Sequence, residues 1–231
     1  MVFSLANDAV AASAASATGG AGSPAQPLAA GFPASEESAA SPAITDTSLL
    51  KQQLRAKLLA RRDAEDASVR AAADARIKAR LELLPSYREA QTVFCYVSVG
   101  SEVDTRGLIE DMLAGGKTVC VPRCEGDGIM FAHELSALFD LEEGALGIPA
   151  PPRESPLVSP ADIDCVIVPC VACDTAGYRV GYGSGYYDRY LSLTSEYHAT
   201  SIVLCRQSLI LKQAPREDHD VAIDCVVTDA E

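Results

Sequence analysis

The stretch Gly177-Tyr-Arg-Val-Gly-Tyr-Gly-Ser-Gly-Tyr-Tyr-Asp-Arg-Tyr-Leu191 decides how the rest of this chain is interpreted, because it carries four glycines within nine residues. Glycine tolerates positive φ and, having no Cβ, lets a ligand approach the backbone. The apolar run Cys165 to Pro169 comes shortly before it and predicts a buried strand, and apolar residues at helical spacing follow it. A glycine loop between a strand and a helix start is where α/β proteins bind phosphate.

The side chains of this stretch match the same interpretation. Arg179 can neutralise a phosphate charge, Asp188 can hold a hard cation such as Mg²⁺, and the tyrosines can stack on a flat ligand. The alternative is a glycine-rich turn followed by an amphipathic helix whose tyrosines belong to the core. The strand, the arginine and the aspartate together favour a phosphate site.

Composition limits the classes of partner. The chain has 231 residues, enough for one domain with a large core, and a formal net charge of -13. Such a charge repels a phosphate backbone, so we expect no nucleic-acid partner. No apolar run of transmembrane length occurs, and we expect no membrane partner.

The eight cysteines lie mostly inside apolar runs, which is typical of buried thiols in a reducing cytosol and predicts a cytoplasmic protein. Cys170 and Cys173 form one C-x-x-C pair. A zinc site of this kind uses a second pair, which the sequence does not contain, so we predict no metal at these cysteines.

The chain divides into two parts by composition. Residues 1–45 are dominated by Ala, Ser, Gly and Pro and contain no Lys or Arg, so they predict a disordered extension without a basic signal or transit segment. Residues 46–231 alternate helical and strand patterns with short apolar strands. This alternation predicts a single α/β domain of three layers around a largely parallel, open sheet.

Two patterns outside the glycine loop suggest further functional residues. Leu50, Leu54 and Leu58 predict the apolar stripe of a first helix, and basic residues on an adjoining face form either a solvated stripe or a ligand site. These basic residues are Lys51 and Arg55, and we expect Arg61 and Arg62 to lie on the solvated face. Glu102 follows a predicted strand at Thr92 to Ser98, at the sheet edge where open α/β folds bind ligands.

The sequence from Arg179 to Leu191 resembles the signature of the 5-formyltetrahydrofolate cyclo-ligase (methenyltetrahydrofolate synthetase) family, and the resemblance extends over roughly Leu49 to Asp229. Lys51-Gln-Gln-Leu-Arg55 resembles the family's first nucleotide-binding segment. The resemblance implies an open α/β fold similar in layout to sugar-phosphate isomerase and CoA-transferase folds. It also implies ATP- and Mg²⁺-dependent conversion of 5-formyltetrahydrofolate into 5,10-methenyltetrahydrofolate, ADP and phosphate.

The family's residue roles transfer to matching positions of this chain. Catalytic roles would fall on Lys51, Arg55 and Arg179, and the metal would be bound by Asp188 and Asp220. The nucleotide would be contacted by Lys51, Gln52, Gln53, Leu54, Arg55, Arg179, Val180, Gly181, Tyr182, Gly183, Ser184, Gly185, Tyr186 and Tyr187. The folate would be contacted by Arg55, Val97, Glu102, Tyr182, Gly183, Ser184, Gly185 and Tyr186.

Two other classes of function stay open at this point. One is another phosphate-dependent enzyme on the same fold, and the other is a non-catalytic folate- or nucleotide-binding protein. The presence of Lys51, Arg55 and Glu102 argues against the first, and the presence of Arg179 and Asp188 argues against the second. We expect small-molecule partners, a reduced folate and ATP, and a monomer.

Deletion of residues 1–44 should leave the melting temperature and the turnover of the chain nearly unchanged, since their composition predicts no packed structure. Thermal denaturation and steady-state turnover of the truncated and full-length proteins measure this. A large loss of either in the truncated protein would show that the extension is structural.

Overall fold

The computed structural model describes residues 46–230, apart from the side chains of Asp127, Leu146 and Ser195. The extension predicted for residues 1–45 lies outside the described residues. The helices are α1 (Asp46–Asp63), α2 (Ala67–Leu81), α3 (Pro85–Glu89), α4 (Arg106–Ala114) and α5 (Tyr186–Thr194). Within this part of the chain, no helix combines the length and apolar character needed to cross a membrane.

The strands form one large sheet and two small ones. The large sheet contains β1 (Thr92–Cys95), β2 (Thr118–Cys124), β3 (Met130–Glu134), β6 (Leu157–Val158), β7 (Cys165–Val168), β10 (Thr200–Leu204) and β12 (Cys225–Val227). A second sheet consists of β8 (Ala172–Asp174), β9 (Arg179–Val180) and β11 (Ile210–Leu211), and a third of β4 (Glu142–Glu143) and β5 (Pro149–Ala150).

The large sheet is mostly parallel and open, as predicted. Its order is β12-β10-β7-β1-β2-β3-β6, with parallel pairing from β12 to β2 and antiparallel pairing of β3 with β2 and of β6 with β3. The chain extends the sheet from β1 to one side through β2 and then returns to pair β7 on the other side of β1. Open α/β sheets bind ligands beyond the carboxyl ends of their strands at such a reversal.

Alternate residues of the central strands face two separate cores, which confirms the predicted three layers. Val93 faces a core formed with α2, α3 and α4, and Phe94 faces a second core that contains residues of α1, α5 and the β8–β9 hairpin. Both faces of the parallel strands are therefore covered, which explains why the sequences of these strands are continuously apolar and do not alternate with polar residues.

The path into the glycine loop differs from the prediction. We expected β7 to lead directly into the loop, but the β8–β9 hairpin lies between them. The glycine loop, defined as residues 181–185, therefore follows the two-residue strand β9, and α5 begins immediately after it at Tyr186. The hairpin escaped the sequence analysis because a two-residue strand is too short to show alternation.

The turn of this hairpin is fixed by Gly177 and Asp174. Gly177 has φ +85°, and a Cβ there would lie 2.2 Å from the carbonyl oxygen of Ile223, so the position requires glycine. Burial raises the pKa of Asp174, but the N–H groups of Ala214, Tyr178 and Ala176 and the Arg216 guanidinium outweigh it and hold the pKa below its ordinary value. Asp174 thus joins the turn to the segment that precedes β12.

Replacement of Asp174 by Asn should destabilise the fold by about 1–3 kcal/mol at neutral pH, because at least one of these donors would face an amide NH₂. The folded-state pKa of Asp174 is lowered, so its contribution is present above the unfolded pKa and is lost as pH falls through the lower, folded value. Denaturant unfolding from pH 7 to pH 3 should therefore show a difference between wild type and variant that shrinks in acid. Asp162→Asn, at an exposed position, is the control, and an equal effect there would contradict this role.

Candidate active site

The glycine loop lies against α1 through Arg55. The Arg55 Nε donates to the Gly181 carbonyl oxygen at 2.6 Å. A Cβ on Gly183, which has φ +99°, would lie 3.1 Å from the Arg55 guanidinium carbon. Position 183 therefore favours glycine for its backbone conformation, and the missing Cβ lets the Arg55 guanidinium lie close to it.

Lys51 is one turn earlier on α1 and is only 8% exposed. Its Nζ lies 2.9 Å from Glu217 Oε2 and 2.5 Å from Asp220 Oδ2. The Asp220 Oδ2 atom also accepts the Glu217 backbone N–H at 2.7 Å. The first helix and the segment before β12, far apart in sequence, thus meet through a buried ammonium and two carboxylates.

Arg179 is buried in β9 and pairs with the other predicted metal ligand. Its guanidinium donates to Asp188 Oδ1 at 2.9 Å and to the Val221 carbonyl oxygen at 3.1 Å. Asp188 Oδ1 also accepts the Val221 N–H at 3.2 Å. Val221 directly follows Asp220, so both predicted metal ligands lie beside the same short segment, each paired with a predicted phosphate-binding cation.

Glu102 is buried and is less free than the sequence suggested. Its Oε2 accepts the Val99 N–H at 2.8 Å, and its Oε1 accepts the Tyr182 hydroxyl. Arg62 donates to the same hydroxyl at 2.9 Å. Burial, and next the charge of Glu102, raise the pKa of Tyr182, so its hydroxyl stays protonated and donates to the carboxylate. Tyr182 therefore links the glycine loop to the predicted folate carboxylate.

A second buried arginine holds the segment that carries Glu102. The Arg206 guanidinium, only 2% exposed, is paired with both carboxylate oxygens of Asp74 at 2.8 Å. It also donates to the carbonyl oxygens of Ser101 at 2.8 Å and Glu102 at 3.0 Å. These bonds fix the backbone of the segment that follows β1.

An open cavity of about 660 Å³ lies beside this segment, and its lining includes Ser98, Gly100, Glu102 and Arg206. This volume falls in the range of small-molecule sites. Glu102 both lines the cavity and accepts the hydroxyl of Tyr182, so the cavity and the glycine loop are connected through one carboxylate.

The remaining predicted site residues differ in how accessible they are. Gln52, Gln53, Gly183 and Ser184 are exposed, and Leu54, Gly181 and Gly185 are half-buried. Val97 and Val180 are buried in the two cores, so their side chains offer a ligand little surface. Tyr186 donates to the Glu125 carbonyl oxygen at 3.0 Å, and the Tyr187 ring stacks on Phe94, so both rings are engaged in packing.

Arg62 was expected on a solvated face and is instead buried, 6% exposed. Its Nε donates to the Ser101 hydroxyl at 2.8 Å in addition to its bond with Tyr182. Leu50, expected to be apolar core, is 52% exposed. The buried face of α1 thus contains Lys51, Leu58 and Arg62, and Arg55 on the same face is half-buried. These four residues are spaced by four, three and four positions, which is the spacing of one helical face. The same spacing would have identified Arg62 as a residue of this face.

Replacement of Arg62 by Gln should lower the free energy of unfolding by roughly 1–3 kcal/mol, because the Ser101 and Tyr182 hydroxyls lose buried donors. Chemical denaturation measures this difference. The matched control is Arg61→Gln at the exposed neighbouring position, for which we expect a change within about 0.5 kcal/mol. Equal effects at the two positions would contradict the network described here.

Comparisons with known proteins identify the family to which this chain is similar. The 5-formyltetrahydrofolate cyclo-ligase family model matches residues 47–229. A probable 5-formyltetrahydrofolate cyclo-ligase of Schizosaccharomyces pombe is 33% identical over 63% of this chain and 78% of the relative. The enzyme of that name from Mycolicibacterium smegmatis is 32% identical over 77% of this chain and 93% of the relative.

A solved structure shares the fold as well as the sequence. The NMR structure of Aquifex aeolicus 5,10-methenyltetrahydrofolate synthetase superposes with a TM-score of 0.70 and 30% identity, covering 79% of this chain and 91% of that one. The match spans the elements that carry the glycine loop, Glu102 and the paired cations. This chain belongs to the 5-formyltetrahydrofolate cyclo-ligase family.

Proposed function

We propose that this chain converts 5-formyltetrahydrofolate and ATP into 5,10-methenyltetrahydrofolate, ADP and phosphate. The observation that supports this most directly is the connection made by the glycine loop. Gly181 contacts the α1 cation Arg55, and the next residue, Tyr182, contacts Glu102. Tyr182 therefore connects the proposed phosphate-binding segment to the proposed folate-binding carboxylate.

The nucleotide phosphates fit the face formed by the glycine loop and the surrounding cations. Lys51, Arg55 and Arg179 bring three positive charges to this face, and the start of α5 adds the positive end of a helix dipole. Lys51 and Arg179 are each paired with a carboxylate. Arriving phosphate oxygens can share or replace those carboxylates without leaving a buried cation unpaired.

The carboxylates in turn fit a divalent cation. The protein contacts of Asp188 use its Oδ1, and those of Asp220 use its Oδ2. These contacts use one oxygen of each aspartate, and the second oxygen of each would bind Mg²⁺. Mg²⁺ is bound well by one or two carboxylates together with phosphate oxygens and water, and it would neutralise charge on the transferred phosphate.

On the folate side, Glu102 suits the pterin ring. A carboxylate accepts two N–H bonds side by side, which matches the donors of a 2-amino-4-oxopteridine. Arg206 fixes the backbone of this residue, and Tyr182 and Val99 orient its carboxylate. The side chain is therefore held in place before folate arrives, which lowers the entropic cost of binding.

The reaction needs positioning and charge neutralisation more than covalent chemistry by the protein. The formyl oxygen attacks the γ-phosphorus and ADP leaves. N10 then attacks the activated formyl carbon, loses its proton, and the former formyl oxygen departs with phosphate. Lys51 and Arg179 would stabilise the negative charge on the transferred group, and Arg55, between the glycine loop and the folate side, would orient both substrates.

The proposed setting is the cytoplasm, with the chain acting as a monomer. Eight free cysteines, five of them buried, suit a reducing compartment. All the proposed site residues come from one chain, so a second copy is not needed to complete the site.

The decisive experiment follows methenyltetrahydrofolate spectroscopically after 5-formyltetrahydrofolate and Mg-ATP are mixed with the purified chain. Product formation with stoichiometric ADP supports the proposal. Binding of both ligands without product would indicate the non-catalytic alternative. ATP consumption only with another acceptor would indicate a different enzyme on this fold.

Replacement of Glu102 by Gln should raise the KM for 5-formyltetrahydrofolate about tenfold or more and leave the KM for ATP nearly unchanged, because an amide NH₂ would face a pterin donor. Steady-state kinetics with each substrate varied in turn measures the two constants. Glu110→Gln, at an exposed position of α4, is the matched control. A raised ATP KM with an unchanged folate KM would place Glu102 on the nucleotide side.

Replacement of Asp188 by Asn should lower turnover more than about 100-fold and raise the Mg²⁺ requirement with the fold intact, because the amide keeps an acceptor for Arg179 but binds the cation poorly. Asp220→Ala should do the same more weakly. Asp224→Ala should act mainly on stability, since Asp224 accepts the Ser201 N–H and hydroxyl.

The measurement is turnover against Mg²⁺ concentration for the three variants, with their melting temperatures. Wild-type turnover and Mg²⁺ dependence in Asp188→Asn would show that the metal is bound elsewhere.

A further inference from the structure

Three thiols converge at the carboxyl edge of the large sheet. The Sγ atoms of Cys170, Cys173 and Cys205 all lie within 4.8 Å of one another, and none is in a disulfide. Cys173 and Cys205 are at most 1% exposed, whereas Cys170 is only partly covered. No described residue of the proposed active site provides a sulfur, so the function proposed above leaves this cluster unexplained.

The sheet topology brings together cysteines that are far apart in the sequence. Cys170 follows β7 and Cys205 follows β10, and these two strands are parallel neighbours, so their carboxyl ends meet. Cys173 lies in β8, which starts just after β7. The C-x-x-C pair alone did not predict a metal site, but the structure supplies a third sulfur from a residue more than thirty positions away.

The cluster is already suited to a cation. Cys170 Sγ lies 3.6 Å from the Leu204 carbonyl oxygen, and Cys205 Sγ lies 3.5 Å from the Arg206 carbonyl oxygen, so the backbone at the end of β10 holds two of the three sulfurs in place. A bound cation would displace the thiol protons and gain three sulfur ligands.

We propose that Cys170, Cys173 and Cys205 form a three-coordinate site for a soft monovalent cation of the Cu(I) class. Thiolates select soft cations, and structural zinc is almost always bound by four protein ligands. Among the described residues, no fourth Cys, His, Asp or Glu joins these three atoms, which favours a trigonal cation over a tetrahedral one.

The geometry requires little adjustment. If the three sulfurs stood at the 4.8 Å limit from one another, the centre of the triangle would lie about 2.8 Å from each sulfur, and a metal–sulfur bond is about 2.3 Å. Inward shifts of about 0.5 Å at each sulfur therefore complete the site.

A cation bound to these cysteines would stabilise two parts of the proposed active site, the hairpin that carries Arg179 and the segment that carries Glu102. Cys173 pairs across the β8–β9 hairpin with Arg179, and Cys205 directly precedes Arg206, which fixes the Glu102 segment. Binding would link the ends of β7, β8 and β10. Since the cation binds the folded cluster better than the unfolded chain, it should raise the melting temperature.

The test is an anaerobic titration of the reduced full-length chain with Cu(I), in competition with the chromophoric chelator bicinchoninate. We expect wild type to retain one Cu(I) per chain with a rise in melting temperature, and Cys170→Ser and Cys205→Ala each to lose at least about tenfold in affinity. Cys124→Ser and Cys225→Ser are the matched controls, because both residues lie outside the cluster. They should bind as wild type does.

The proposal is overturned if wild type retains no Cu(I) against the chelator, or if the control variants lose as much affinity as the cluster variants. Folding is checked by circular dichroism for every variant, and Cys170→Ser alone suffices if Cys205→Ala does not fold. Because Cu(I) binding and the melting shift are measured without folate or ATP, the result is independent of turnover.

Discussion

Helix α1 is attached to the rest of the site by cations that are partly or wholly withdrawn from water. Lys51, Arg55 and Arg62 reach the segment before β12, the glycine loop and the segment after β1 respectively. Charges removed from water are costly unless they are paired or hydrogen-bonded. The position of α1 is therefore set by the partners these cations require as well as by the apolar contact of Leu58.

This arrangement explains how a chain with a formal net charge of -13 can be suited to polyphosphate. Bulk charge acts at long range and is screened over about 8–10 Å at physiological salt. The ion pairs of Lys51 with Asp220 and of Arg179 with Asp188 act at contact distance. In the proposed function, each pair would present a cation for phosphate and a carboxylate for a metal at the same place, so that the site would accept Mg-ATP as a unit.

The sequence predicted the fold well where a single physical signal dominated. The buried strands that begin at residues 92 and 165 are β-branched and apolar, and the structure places each within a few residues of its predicted bounds. The β8–β9 hairpin was missed because its turn depends on long-range contacts, such as that of Gly177 with Ile223. Such contacts leave no local pattern in the sequence.

The site was predicted unevenly for the same reason. The glycine loop and Glu102 were recognised because their residue types are informative alone, and their assigned roles remain predictions. Arg62 and Arg206 were not recognised, since a buried arginine and an exposed one look alike until their partners are known. Helical spacing from Lys51 through Arg55 and Leu58 could have identified Arg62, whereas the Arg206–Asp74 pair required the tertiary structure.

Parallel pairing concentrates the chemistry of this molecule at one edge of the sheet. The segments after β1, β7 and β10 carry Glu102, Cys170 and the adjacent Cys205 and Arg206, and these strands are consecutive neighbours. Arg206 donates to the backbone of Ser101 and Glu102, so the end of β10 positions the end of β1. Arg206 directly follows Cys205 and donates to the Glu102 carbonyl oxygen, so the thiol cluster and the segment that carries Glu102 are both attached to the end of β10.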